Sequence, residues 1–104
     1  EQPGIVIESV IGIGDVNSEV LLLKRTGEGE LTLTGWQLVD SEGNTYTFPG
    51  LTLYKGGAVQ VHTGLGVNSV VDLYWGRDTP VWTVGEKISL LDSTGTLIAS
   101  YTIP

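Results

Sequence analysis

Apolar and polar residues alternate along this chain over short stretches that are separated by turns. In Glu19–Arg25, Leu21 and Leu23 fall on one face and Val20 and Leu22 fall on the other. A period of two residues is that of a β-strand with one buried face. No stretch has a sustained helical period, so the pattern predicts an all-β protein.

The same alternation predicts the other strands. They are expected at Ile5–Ile13, Thr45–Phe48, Leu51–Tyr54, Ala58–Thr63, Val71–Trp75, Lys87–Asp92 and Leu97–Ile103. One further region changes parity, because Leu31 and Leu33 are odd-numbered whereas Trp36 and Leu38 are even-numbered. A slip of one residue moves side chains to the opposite face of a sheet, so we expect a bulge or break at Gly35.

Two copies of an Asp-Ser-x-Gly sequence, Asp40–Gly43 and Asp92–Gly95, each follow a pair of apolar residues. The aspartate opens a type I turn, and the glycine takes the left-handed conformation that completes a hairpin. About eight or nine short strands with a turn every 8–12 residues predict an antiparallel β-sandwich.

Length and composition indicate one globular domain. The chain has 104 residues, of which 40% are hydrophobic and 16% are charged. Pro3-Gly4 breaks regular structure, so residues 1–4 are expected to be a linker or a cloning remnant and residues 5–104 to form the domain. The chain contains no Met and no signal peptide, so we expect a piece of a longer protein, whose removed parts carry much of the function.

The charge restricts the partners. Twelve acidic and five basic residues give a net charge of −7, which repels phosphate backbones and anionic membrane surfaces. We therefore expect no nucleic-acid partner. No apolar run approaches the ~18 residues that a membrane span needs, so no direct membrane insertion is expected. The absence of cysteine excludes disulfides and thiol chemistry.

Candidate catalytic and metal-binding residues are few. His62, the one histidine, is expected to point into solvent without a partner that would make it a general base. Asp15, Asn17 and Glu19 resemble the first ligands of a calcium loop, but Val20 stands where that loop needs glycine. We expect no enzyme activity, no cofactor and no metal, and these three residues are the candidates if a metal binds.

The aromatic residues have two interpretations. Trp36, Trp75 and Tyr46 share the parity of buried positions, which favours core packing over a sugar-stacking platform. Tyr74 alternates outward and, with Val20 and Leu22 on the outer face of their strand, is our candidate for a partner-binding surface. Edge strands are a second candidate for self-association, because Lys24, Lys55 and Lys87 are the few lysines placed to protect them.

Several motifs together resemble the lamin tail domain. They are Glu19–Arg25, Leu33-Thr34-Gly35-Trp36-Gln37-Leu38, Tyr46-Thr47-Phe48-Pro49, Leu53–Val59, Asp72-Leu73-Tyr74-Trp75, Trp82 and Leu91–Gly95. The match extends from about Ile5 to Tyr101. The sequence departs from the family pattern at Val20, where the family has an aromatic residue, and at Leu22, Arg25 and Lys55.

The resemblance implies an immunoglobulin-like fold and no catalytic residues. Lamin relatives use the domain as an interaction surface, and bacterial relatives lie beside secreted hydrolases or in surface proteins. We therefore expect a non-catalytic tethering module of a larger, exported bacterial protein, located outside the cell or on its surface. It would bind a protein partner, a cell-surface component or a neighbouring domain of its own polypeptide, and we also expect weak homo-oligomerisation. The alternative is a carbohydrate-binding module attached to a secreted hydrolase.

Overall fold

A computed structural model describes residues 4–104, which contain ten β-strands and no helix. The strands are β1 (Ile5–Ile11), β2 (Val20–Arg25), β3 (Leu31–Thr32), β4 (Gln37–Val39), β5 (Thr45–Thr47), β6 (Thr52–Leu53), β7 (Ala58–His62), β8 (Asp72–Tyr74), β9 (Lys87–Leu91) and β10 (Leu97–Thr102). The all-β prediction is confirmed.

The strands form two four-stranded sheets and a small two-stranded one. The first sheet has the order β1-β2-β7-β8, the second has the order β10-β9-β4-β5, and β3 pairs with β6. The buried apolar side chains lie between the two larger sheets, as in an immunoglobulin-like β-sandwich. Leu21 and Leu23 of β2 are completely buried, as their parity predicts.

The expected break at Gly35 divides one predicted strand region into β3 and β4. Gly35 has a φ of +80°, a conformation that favours glycine, and the N–H of Trp36 donates to the carbonyl of Leu33 at 2.9 Å. This turn buries both Leu33 and Trp36 despite their opposite parity. The break explains why there are ten strands, one more than the upper number predicted.

Both Asp-Ser-x-Gly sequences form hairpin turns. The side chain of Asp40 accepts hydrogen bonds from the N–H groups two and four residues on, at 3.0 and 2.7 Å. Asp92 makes the same pair of bonds at 2.9 and 3.0 Å, and the glycine of each turn has a φ of +88°. The turns join β4 to β5 and β9 to β10.

One strand pairing differs from an all-antiparallel sandwich. β8 lies parallel to β7, with Asp72 opposite Gln60 and Tyr74 opposite His62. The other pairings are antiparallel. The segment between the two strands returns the chain to the starting end of β7, which a tight hairpin cannot do. This parallel pair determines which side chains meet on the outer face of the first sheet.

The edges of the sheets are protected by irregularities instead of lysines. Lys24 lies in β2 and Lys87 in β9, which are both central strands, and Lys55 follows β6 and forms an ion pair with Glu28 at 3.2 Å. The expectation that lysines protect edges is therefore wrong for Lys24 and Lys87. The edge strands β1 and β10 instead carry register shifts, which interrupt a continuous edge.

The N-terminal prediction falls mostly on residues 1–3, which lie outside the described residues. Gly4 is held in place by three hydrogen bonds to its carbonyl. The donors are the N–H groups of Thr26 and Gly27, at 2.7 and 2.9 Å, and the Arg25 guanidinium at 2.8 Å. Gly4 has a φ of +75°, and a Cβ there would lie 2.6 Å from the Cα of Gly27. These contacts fasten Gly4 to the loop after β2.

Candidate interaction face

The outer surface of the β1-β2-β7-β8 sheet, which we call the outer face, carries the residues predicted to bind a partner. Leu21 and Leu23 of β2 and Val59 and Val61 of β7 point into the core. The residues between them therefore point outward, because side chains alternate along a strand. Val20 and Leu22 are half-buried on this face.

Strand register aligns the outer side chains in two rows. The first row runs across the four strands as Ile11, Val20, His62 and Tyr74. The second row runs as Ser9, Leu22, Gln60 and Asp72. The β1-β2 half carries the exposed apolar residues Ile11 and Val6, with the exposed Lys24 opposite Val6, whereas the β7-β8 half is polar and aromatic. The structure thus places Val20 and Tyr74 in one row, with Leu22 beside them.

His62 has partners, so its description as a solvated side chain without one is wrong. Its Nε2 lies 2.8 Å from Oδ1 of Asp72, and its ring stacks on Tyr74 at a centroid distance of 4.4 Å. The sequence pattern missed this because only the parallel pairing of β8 with β7 brings the three side chains to one face. Within residues 4–104, no serine or threonine hydroxyl hydrogen-bonds to the ring.

Tyr74 is held more firmly than an exposed aromatic residue. A Cβ on Gly66 would lie 2.4 Å from its ring, so the loop backbone lies directly against the tyrosine. The backbone N–H of Tyr74 donates to the side chain of Asn68 at 2.8 Å. With His62 stacked on the ring as well, Tyr74 is a half-buried, preorganised part of the outer face.

The incomplete calcium loop does not present a common set of ligands. Asp15 accepts hydrogen bonds from the N–H of Asn17 and the hydroxyl of Ser18, at 3.0 and 3.1 Å, and so stabilises its own turn. Glu19 is only 1% exposed, and its carboxylate points inward. It accepts N–H groups from Gly14 and Val81, each at 2.9 Å.

Glu19 connects two distant loops to the sandwich. Besides Gly14 and Val81, its carboxylate accepts the N–H of Trp82 at 3.3 Å, and its carbonyl accepts the N–H of Thr63. Both oxygens of this carboxylate already accept backbone N–H groups, so they are directed to donors of the protein and not toward a shared cation position. The sequence identified Glu19 for its charge, whereas its role in the structure is to fix the loops.

A second acidic cluster joins the first hairpin turn to the start of β9. Carboxylate oxygens of Asp40, Glu42 and Glu86 lie within 4.8 Å of one another, and Asp40 and Glu86 are buried. Glu86 also accepts the N–H of Thr83 at 2.7 Å. Burial, followed by the charge of Asp40, raises the pKa of Glu86. Sequence reasoning missed this cluster because nothing local indicates that Glu86 reaches the turn.

The raised pKa of Glu86 predicts a specific pH dependence. Its contribution to stability is complete below the ordinary glutamate pKa and is lost as the pH rises through the raised value. We expect Glu86→Gln, which retains an oxygen for Thr83 and can donate to Asp40, to raise the melting temperature at pH 7 by a few degrees. At pH 4 the gain should shrink. Thermal denaturation at both pH values, with the exposed Glu30→Gln as control, would contradict this if the two variants behave alike.

The aromatic rings lie mainly in the core. Trp36 and Tyr46 are each 7% exposed and Trp82 is 3% exposed, as core packing predicts. Trp75 packs against two of these residues, with its ring centroid 5.6 Å from that of Tyr46 and 5.7 Å from that of Trp82. Among the described aromatic residues, Tyr54 is the one with a largely exposed ring, at 63%.

Comparison with known families agrees with this architecture. The family model of the lamin tail domain matches residues 1–104, the whole chain. The chain belongs to the lamin tail domain family. Lamin tail domains are immunoglobulin-like and non-catalytic. Comparison with curated proteins gives no match. Within the described part of this lamin tail domain, no helix has the length and hydropathy needed to cross a membrane.

Arg25, a departure from the family pattern, has a structural role in this lamin tail domain. It is buried, and its guanidinium donates to the carbonyl of Gly4 at 2.8 Å and to that of Glu28 at 2.6 Å. The long side chain therefore fastens the loop after β2 to the beginning of β1. Loss of the family's usual asparagine at this position is offset by these contacts.

Proposed function

We propose that this lamin tail domain is a non-catalytic interaction module of a larger, exported bacterial protein. Its outer face would bind a protein partner or a neighbouring domain of the same polypeptide. The observation that carries the proposal is the alignment of Ile11, Val20 and Leu22 on adjacent strands, beside the fixed ring of Tyr74. A preorganised apolar surface with a polar border is typical of protein-binding sites.

The rigidity of the border supports the proposal. His62 and Asp72 are joined at 2.8 Å, and Tyr74 is fixed between His62 and Gly66. Side chains that are already ordered lose less conformational entropy on binding. The −7 net charge favours a partner with basic groups around its own apolar surface.

A carbohydrate-binding module is the second candidate function. The exposed ring of Tyr54 is the observation that favours it. Sugar binding usually needs aromatic side chains that are accessible for stacking. Trp36, Tyr46 and Trp82 are buried, so a platform of several rings is not available from them. Retention of the domain on insoluble polysaccharides, abolished by Tyr54→Ala, would favour this candidate over protein binding.

Leu22→Lys tests the proposed function, because it places a charge next to the apolar side chains of Ile11 and Val20 on the outer face. We expect at least a fivefold loss of self-association, or of binding to the parent protein's other domains, measured by sedimentation equilibrium. Val84→Lys, which changes a 65% exposed valine away from the sheet, is the matched control and should have no effect. The proposal is wrong if the wild type stays monomeric at high concentration and binds none of those domains.

A further inference from the structure

An apolar groove lies beside β6, separate from the rows of the outer face. Its volume is about 490 Å³. Its walls come from residues 50–54 around β6, from Gly57 and Ala58, and from Val70 and Val71 before β8. Val70 is 81% exposed and Val71 is 52% exposed, although both are large aliphatic side chains.

The backbone of β6 has an open side toward this groove. Leu31 pairs with Leu53 and Thr32 with Thr52, and the N–H of Leu33 donates to the carbonyl of Leu51 at 2.7 Å. In an antiparallel pair, hydrogen-bonded and non-hydrogen-bonded positions alternate. The amide and carbonyl of Thr52 are therefore directed away from β3. Thr52 is itself a wall residue of the groove and β3 contributes none, so the side of β6 that is turned away from β3 borders the groove.

The other strand edge near the groove is closed by its own loop. The N–H of Tyr74 in β8 donates to Asn68, and the carbonyl of Asp72 accepts the N–H of Ser69 at 2.7 Å. Pro49, which has no N–H to offer a partner, follows the edge strand β5 after one intervening residue, Phe48. The open edge at Thr52, with its exposed valine wall, is thus an exception to how this domain protects its edges.

Charge indicates the kind of molecule that fits. None of the groove's wall residues is charged, whereas the whole chain has a net charge of −7. A ligand that is apolar along the groove and basic at its ends would match both the uncharged walls and the net negative charge of the domain as a whole. The open amide and carbonyl of Thr52 require a ligand with a backbone that can pair.

We propose that the groove binds an extended peptide segment with alternating apolar residues and basic ends, which adds a strand to β6 at Thr52. The apolar side chains of the peptide contact Tyr54, Val70 and Val71, and its backbone provides the hydrogen bonds. This peptide site is distinct from the outer face, so either one can fail without the other.

A titration with a defined peptide tests the proposal. The probe is acetyl-Lys-Val-Thr-Val-Thr-Val-Lys-amide, and the comparison peptide has proline in place of the central valine. Amide chemical shifts of the ¹⁵N-labelled domain are recorded at increasing peptide concentration. We expect saturable shifts at Thr52, Gly57 and Val71 with a Kd of about 1 mM or tighter for the first peptide. The proline peptide should bind at least fivefold more weakly.

A matched pair of variants distinguishes binding in the groove from nonspecific binding to exposed apolar side chains. Val70→Ser combined with Val71→Ser should weaken binding at least fivefold. Val84→Ser removes an exposed valine outside the groove and should change binding less than twofold. Absence of saturable binding, equal binding of the proline peptide, or an equal loss in Val84→Ser would overturn the proposal. So would binding to phosphatidylcholine vesicles in place of the peptide.

Discussion

Replacement of Glu19 by alanine is expected to destabilise the domain by about 4 kcal/mol or more. The carboxylate is 1% exposed and accepts the N–H groups of Gly14, Val81 and Trp82 at 2.9, 2.9 and 3.3 Å. Each buried N–H left without an acceptor costs about 1–3 kcal/mol. The free energy of unfolding of a domain of this size is about 5–15 kcal/mol, so the loss brings the domain close to unfolding.

Glu19→Gln keeps the shape of the side chain and separates hydrogen bonding from packing. Because Oε1 and Oε2 each accept an N–H, the amide nitrogen of glutamine must face a donor whichever way it is turned. We expect a loss of about 2 kcal/mol, with faster amide exchange at Val81. Urea denaturation measures the free energy of unfolding of both variants. The control is Glu30→Ala at an exposed position, which should change this free energy by less than about 0.5 kcal/mol. A loss below about 1 kcal/mol for Glu19→Ala would show that the amides find other acceptors.

The sequence predicts the strands well because alternation depends on neighbouring residues. The positions of Leu21 and Leu23, the break at Gly35 and the two Asp-Ser-x-Gly turns all follow from local stereochemistry. Each of these features is determined within a few residues, so no knowledge of the tertiary structure is needed.

The candidate site depends on pairings that alternation does not specify. Alternation places His62 outward, but only the parallel register of β8 brings Asp72 to it. Glu19 similarly reaches an N–H that is 62 residues further along the chain. Val20, Leu22 and Tyr74 could be assigned to an outer surface from parity alone. Their arrangement in rows, and the groove beside β6, could not be predicted, because both arise from strand order.

Trp36→Ala is expected to cost about 3–5 kcal/mol, the usual loss for removing a large aromatic residue from a core. Trp36 is 7% exposed, although it directly follows the left-handed Gly35. Its N–H donates to Leu33 and its carbonyl accepts from Phe48, at 2.9 and 2.8 Å, so the backbone places the indole where neighbouring strands surround it. Truncation would leave a cavity that the backbone cannot close.

Chemical denaturation followed by fluorescence measures this loss, because Trp75 and Trp82 remain as reporters in the variant. Tyr54→Ala is the matched control, since it removes an aromatic side chain that is 63% exposed, and it should cost less than about 1 kcal/mol. If Trp36→Ala costs no more than Tyr54→Ala, the indole is not a core anchor. A ring available for stacking would then strengthen the carbohydrate-binding candidate at the expense of protein binding.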